Sequence, residues 1–249
     1  MRAIVVLAHA GGPTQDESNA PDFVGEIVEE TREMSPDVDV VVAGHSHSSI
    51  DIHVPNVDGS GDKLVVEALS YGVAYDLVDI AVDKRTGEVV AKAGHIPPTP
   101  HDVPANAQVA AFVEGYRKRI EPLASKVLGH TDVPLTRANG RLGQLAADAE
   151  REFAGADAAV VGQVAVRADI DAGPITYGEV AEALAFDHPV VRIQMTGAQL
   201  KRFAEDGFLS GPSELDPART YTVAASEMMM PHGRPVGTEV EAVASYLQR

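Results

Sequence analysis

Three histidines have the spacing of metal ligands. His9 closes the apolar run RAIVVLA at residues 2–8, and His45 and His47 follow a second run, VDVVVA at 38–43, within Gly44-His45-Ser46-His47. Neutral imidazoles are common ligands for divalent ions. Such ions hydrolyse phosphate esters by polarising the phosphoryl oxygens and lowering the pKa of a bound water. Gly44 permits close approach of the backbone to an ion. The i, i+2 spacing of His45 and His47 lets two imidazoles reach one site from an extended chain or turn. With His9 at the end of the neighbouring strand, the three are expected to converge. The competing reading is of solvated loop histidines: the chain has nine, and His53, His95 and His101 stand without a partner in sequence.

The elements that would carry these residues are legible as alternations of pattern. Continuous apolar runs such as 2–8 and 38–43 mark strands buried on both faces. Between them DFVGEIVEETREM at 22–34 sets Phe23, Ile27, Val28 and Thr31 on one helical face, with Pro21 at its start. Strand, helix, strand implies a parallel pair with a right-handed crossover, and ligands gather at the carboxyl ends of such strands. The segments IDIHV, KLVVEAL, YDLVDIAVD and EVVAKAG, parted by turns at 56–62 and 84–87, predict antiparallel strands. Ile96-Pro97-Pro98-Thr99-Pro100 interrupts all periodicity ahead of a polar helix at about 105–126. The expected organisation is a first domain at 1–102, a linker helix at 103–128 and a second domain at 129–249. In the second, helices near 142–153, 177–184 and 197–205 and strands at 158–161 and 190–195 form another α/β unit.

The bulk numbers restrict the partners. Thirty-seven acidic residues against 20 basic ones in 249 give a formal charge of −17, which repels nucleic-acid backbones and anionic lipid. Neither nucleic acid nor membrane is expected as a partner. A small phosphate ester would then need a local positive focus from ions or a few arginines. The absence of cysteine removes disulfides and thiolate sites. No stretch of about 18 apolar residues offers a bilayer span, and the first run is too short for a secretion signal.

At this point the residues resemble a known family. VVLAHAGG at 5–12 and VDVVVAGHSH at 38–47 look like two blocks of the secreted and periplasmic 5′-nucleotidases and 2′,3′-cyclic-nucleotide phosphodiesterases, whose N-terminal domain is a calcineurin-like metallophosphoesterase. RLGQLAADAER at 141–151 and the stretch from 166 to 200 resemble their C-terminal domain. The resemblance implies an α/β fold: the C-terminal part of a metallophosphoesterase β-sandwich with flanking helices, a linker helix, then the 5′-nucleotidase C-terminal domain. It implies that His9, His45 and His47 ligate divalent ions such as Zn or Mn. It also implies that the C-terminal domain binds a nucleoside phosphate or other small phosphate ester, its phosphate on arginines and its base on aromatic rings. Arg167 stands at a family arginine and Phe186 at a family stacking ring, with Arg137 and Arg141 as weaker phosphate candidates. Ordinary core remains open for Phe186, and solvated surface for Arg137 and Arg141.

The departures matter as much. The sequence lacks the family's upstream Asp-x-His, Gly-Asp and Gly-Asn-His-Asp/Glu segments, and three histidines do not build the bridged ion pair that activates a nucleophile. MMMPHGRPVG at 228–237 replaces the loop that carries the second stacking ring, and a shortening between Gly207 and Pro217 is expected to delete a β-hairpin that the family places there. The expectation is therefore a metal-dependent 5′-nucleotidase-type hydrolase, impaired unless the other half is supplied from upstream sequence or a separate chain. The alternatives are a non-catalytic nucleotide- or phosphate-binding module and a bare structural remnant. The family is exported as a rule, yet no export signal is visible, so the compartment is left open.

Overall fold

The apolar runs that flank the histidines become neighbouring parallel strands. The computed structural model describes residues 3–12 and 25–249 and divides the chain into two compact units, Met1–Pro104 and Ala105–Arg249. Arg2, Pro21, Asp22 and Phe23 lie outside the described residues.

In the first unit β1 (Val5–Leu7) leads to α1 (Glu26–Glu33), β2 (Val40–Val42), β3 (Ser49–Pro55), β4 (Asp62–Ala68), β5 (Leu77–Val82) and β6 (Val89–His95). β1 and β2 pair in parallel with Leu7 opposite Val42, β4 joins β2 in parallel, and β3 closes the order β1-β2-β4-β3 antiparallel to β4. The segments after His47 are thus mixed in direction, not uniformly antiparallel. KLVVEA is buried almost throughout because it lies between β2 and β3 with both faces covered. On one face Ile27 and Val28 of α1 pack with Val41, Ile50, Val54 and Val65, and the predicted face residue Thr31 is buried with them. On the other, Val40, Leu64 and Val66 meet Val78 and Ile80 from the β5–β6 hairpin. The result is a small sandwich with a helix on its outer face.

The second unit opens with α2 (Ala107–Ala124), capped by Asn106, whose side chain accepts from Gln108 and Val109 N–H. There follow β7 (Val127–Thr131), α3 (Arg141–Phe153), β8 (Ala158–Gly162), a 3-10 turn at Gln163–Ala165, β9 (Gly173–Thr176), α4 (Tyr177–Ala183), β10 (Pro189–Thr196), α5 (Gly197–Phe203), β11 (Gly207–Ser210), β12 (Thr220–Ser226), β13 (Arg234–Thr238) and α6 (Glu239–Leu247). α2 belongs to this unit. The main sheet runs β11-β8-β12-β10-β13, and β7 pairs with β9. One core gathers Leu142, Ala146 and Ala147 of α3, Val180 and Ala183 of α4 and Val240 and Val243 of α6. A second, on the other face of the sheet, centres on Val191, Met195, Leu200, Tyr221 and Val223. Helices α4, α5 and α6 each start in a full capping box, Thr176 with Glu179, Thr196 with Gln199 and Thr238 with Glu241. Each box satisfies two otherwise orphaned N–H groups and fixes where the helix begins. No helix among the described residues is long and apolar enough to cross a membrane.

Candidate functional site

Pairing continues past the ends of β1 and β2. Ala8 N–H donates to Val42 O at 2.9 Å, Ala43 N–H to Val66 O at 2.8 Å, and Gly44 N–H to Ala10 O at 3.2 Å. His9 and His45 therefore emerge side by side, with His45 Nδ1 3.3 Å from His9 Nε2 and the rings edge to face. Two nitrogens bound at about 2.0–2.1 Å to one tetrahedral Zn²⁺ are roughly 3.3 Å apart, so this exposed pair fits two corners of a metal site. A Cβ on Gly44 would stand 3.6 Å from His9 Nδ1, an ordinary contact.

His47 does not join them. Its ring lies edge to face with Tyr71 at 5.8 Å, and among the described residues no three His, Cys, Asp or Glu side chains form a metal-holding group. The expected convergence of three fails for a conformational reason. Residues i and i+2 share a side only where the chain is extended, but His45 and His47 have φ of 76° and 57°. Leu69 and Tyr71, just beyond β4, also have positive φ. Non-glycine residues in this region are uncommon and cost roughly 1 kcal/mol each. Four of them at the ends of neighbouring strands mark loops held in place by their surroundings.

The holding group is Glu67, which sequence reasoning passed over. Its side chain is buried at the end of β4. One carboxylate oxygen accepts from Ser46 Oγ at 2.8 Å and the other from Ser48 N–H at 3.2 Å. Ser46 Oγ in turn accepts from Gly12 N–H at 3.2 Å. The His9 loop and the His45 loop are thereby tied to one carboxylate. A Cβ on Gly11 would meet Ser46 Cβ at 2.5 Å and its backbone nitrogen at 2.8 Å, so the crossing requires glycine. The available signal was a lone Glu inside the apolar run KLVVEAL. Nearby, burial first and then Glu67 and Asp51 raise the Asp76 carboxyl above the usual range, and Asp76 Oδ1 is buried without a hydrogen-bond partner among the described residues.

In the second unit Arg137, Arg167 and Phe186 lie on loops and Arg141 opens α3. The Arg167 guanidinium carbon is 5.3 Å from the centroid of the Phe186 ring, and the His188 ring stacks on Phe186 at 5.3 Å and 19°. Phe186 is 49% exposed, which removes the core reading and leaves ring surface for a planar ligand. Asp187, at φ 45°, accepts from Val240 N–H at 3.0 Å at the start of α6, and Glu239 accepts from His188 N–H at 3.1 Å. The helix terminus thus anchors the ring-bearing loop. Arg137 is exposed and paired with Asp169 through both its backbone N–H and Nε. Leu135 and Ile170 bridge there, bringing the Arg137 and Arg167 segments together. Arg141 is exposed at the first turn of α3, where its N–H donates to Asn139. A recess of about 340 Å³ opens between the Arg137 loop, Gln163, Val166 and Phe208.

Comparison with known proteins bears out the resemblance and the two-part fold. Residues 127–213 match the family model of the 5′-nucleotidase, C-terminal domain. Over 99% of its length the chain is 28% identical to Endonuclease YhcR of Bacillus subtilis, of which it spans 20%. Over 68% it is 29% identical to the trifunctional nucleotide phosphoesterase protein YfkN of the same organism, of which it spans 12%. Among solved structures it is similar to the 5′-nucleotidase precursor of Thermus thermophilus, with a TM-score of 0.71 at 23% identity over 90% of this chain and 58% of that one. The chain thus spans a small part of these Bacillus relatives and over half of the Thermus protein.

Proposed function

We propose that this chain, whose residues 127–213 carry a 5′-nucleotidase C-terminal domain, is the metal- and nucleotide-binding part of a phosphoesterase of the 5′-nucleotidase type. The observation that carries the reading is the 3.3 Å approach of His9 and His45 across the ends of two parallel strands. These imidazoles would hold a divalent ion such as Zn or Mn, which when bound polarises a phosphoryl oxygen and acidifies water. Further ligands are needed for a bridged ion pair, so catalysis by these residues alone is expected to be impaired. In the second unit Arg167 is suited to a phosphate and the half-exposed Phe186 ring to a nucleobase. A mononucleotide suits the molecule better than the polynucleotide that the name of the endonuclease relative suggests, because a charge of −17 opposes a polyanion along its length.

The test is phosphate release from AMP with added Mn²⁺ or Zn²⁺, comparing the chain with His45→Ala. Lower release in the variant is expected, and equal rates in the two overturn the reading. A second reading, a non-catalytic nucleotide-binding module, is favoured by the lack of a three-ligand group among the described residues. Calorimetric titration with AMP in the absence of metal separates the two. Under the module reading binding persists without metal, and Arg167→Ala weakens it about tenfold by removing a charge-assisted contact of roughly 1.5 kcal/mol. Arg141→Ala is expected to stay within twofold of the parent.

A further inference from the structure

The solvent end of the main sheet in the second unit carries two arginines directly opposite each other. Arg192 on β10 is in register with Arg234 on β13, and both are exposed. Residues paired across strands put their side chains on one face about 5 Å apart at Cβ, and like charges placed so are destabilising. Several arginines of this acidic molecule have partners, Arg117 with Glu114 and Glu121, Arg137 with Asp169, Arg249 with Glu152, and Arg219 over Tyr221. Others such as Arg141 and Arg202 have no side-chain partner among the described residues, but only Arg192 and Arg234 face each other across a strand pair. The guanidinium groups of Arg192 and Arg234 have no ion pair or hydrogen bond among the described residues. Asp157, just before β8, accepts from Thr222 N–H at 2.8 Å.

The pair lines a half-open recess. A recess of about 610 Å³ has Arg192 and Arg234 in its lining together with Gln194, Thr222, Pro235 and Val236. That volume is within the range of small-molecule sites. One rung along, the Gln194 amide donates to Thr222 Oγ1 at 2.8 Å. The amide keeps its carbonyl and second N–H, and the hydroxyl its proton, for a ligand's polar groups. Pro235 and Val236 add apolar wall.

We infer that Arg192 and Arg234 form a second anion site, separate from Arg167 and Phe186, that takes the phosphate of a small phosphorylated molecule. Two guanidinium forks match the charge and the oxygens of a phosphate dianion better than a single carboxylate. Bound phosphate would turn a repulsive cross-strand pair into two attractive contacts.

The site is tested in an Arg167→Ala background, so that failure of the nucleotide reading does not decide the result. Inorganic phosphate and ribose 5-phosphate are titrated calorimetrically into the full chain, with acetate as the carboxylate control and sodium chloride at matched ionic strength as the screening control. The expected result is saturable binding of both phosphates, weakened at least tenfold by either Arg192→Gln or Arg234→Gln. Binding of ribose 5-phosphate tighter than phosphate would identify a phosphorylated small molecule, and equal binding the free ion; acetate should bind at least tenfold more weakly. The inference is overturned if neither phosphate binds, if chloride reproduces the heats, or if the double Gln variant, checked for an unchanged circular dichroism spectrum and melting temperature, binds as before.

Discussion

Glu239→Gln is expected to raise the unfolding free energy by about 2 kcal/mol at pH 8 and to change it little at pH 4. Glu239 starts α6 and is 1% exposed; Oε2 accepts from His188 N–H and Oε1 is buried without a partner among the described residues. Burial pushes its carboxyl up to about 7, against the lowering by the His188 N–H and with a further push from Asp187. A carboxylic acid with a raised folded pKa keeps its proton in the native state while the unfolded chain, near 4.5, has lost it. Its contribution is whole below pH 4.5 and falls as pH rises towards 7, at about 1.4 kcal/mol per unit. The full span amounts to roughly 3 kcal/mol, and the new amide's own burial takes part of the gain. Glu150 works in the same direction. Both its oxygens are buried and unpartnered among the described residues, and burial first, then the charge of Glu239, holds its carboxyl well above the usual range. Among the described residues neither Glu150 nor Glu239 forms an ion pair. Arg151, the neighbour of Glu150, bonds Ser210 Oγ, and Arg249 pairs with Glu152. Urea unfolding at pH 4, 6 and 8 checks the prediction. A variant whose stability runs parallel to that of the parent across this range would show that Glu239 is ionised in the folded protein.

What the sequence disclosed and what it hid divide along the range of the interactions. VVLAHAGG and VDVVVAGHSH were readable because an unbroken apolar run that ends in a polar loop is conspicuous, but only β2 lies inside the sheet as such a run implies. β1 is an edge strand with Val5 and Leu7 exposed, so its expected burial on both faces fails. The starts of α4 and α5 were near the expected positions because Thr-x-x-Glu and Thr-x-x-Gln form a local box. β12, β13 and α6 were not anticipated, although α6 also begins in such a box at Thr238. TYTVAAS has weak alternation, and its buried pattern follows from lying between β8 and β10, more than 20 residues away in the chain. Likewise the direction of β4 depends on pairing with β2, which no turn between them dictates. At the site the residue types were legible, whereas their orientation was not. His47 parts from His45 because both adopt positive φ, and those dihedrals are imposed by loops bonded to Glu67 and by the chain after β4. The Arg167 and Phe186 contact joins residues 19 positions apart and depends on the loop docked at α6.

The brace at Glu67 gives the second large effect. Glu67→Ala removes a side chain that is 1% exposed and leaves Ser48 N–H, in a buried residue, and Ser46 Oγ without their acceptor. A buried donor that loses its partner costs about 1–3 kcal/mol, and the space left by the side chain adds to that. A loss of roughly 3 kcal/mol is expected on urea unfolding of the first unit's transition. Glu67→Gln keeps an acceptor oxygen and the volume, so it should recover about half of the loss. Stability alone does not distinguish a brace from ordinary packing; the histidines do. Once Ser46 is released, Gly12 N–H loses its acceptor and the loops that present His9 and His45 separate, so the 3.3 Å approach is no longer enforced. Imidazole nitrogen shifts, read by NMR without metal, should show the two rings coupled in the parent and in Glu67→Gln but independent in Glu67→Ala. Zn²⁺ affinity should follow the same order, falling at least tenfold in Glu67→Ala. Gly11→Ala attacks the same crossing by another route, since its Cβ would overlap Ser46 while Glu67 is untouched. If Glu67→Ala unfolds the unit, Gly11→Ala supplies the remaining measurement. Retention of the coupled shifts and of full Zn²⁺ affinity in a folded Gly11→Ala or Glu67→Ala protein would show that His9 and His45 are positioned by their strands alone.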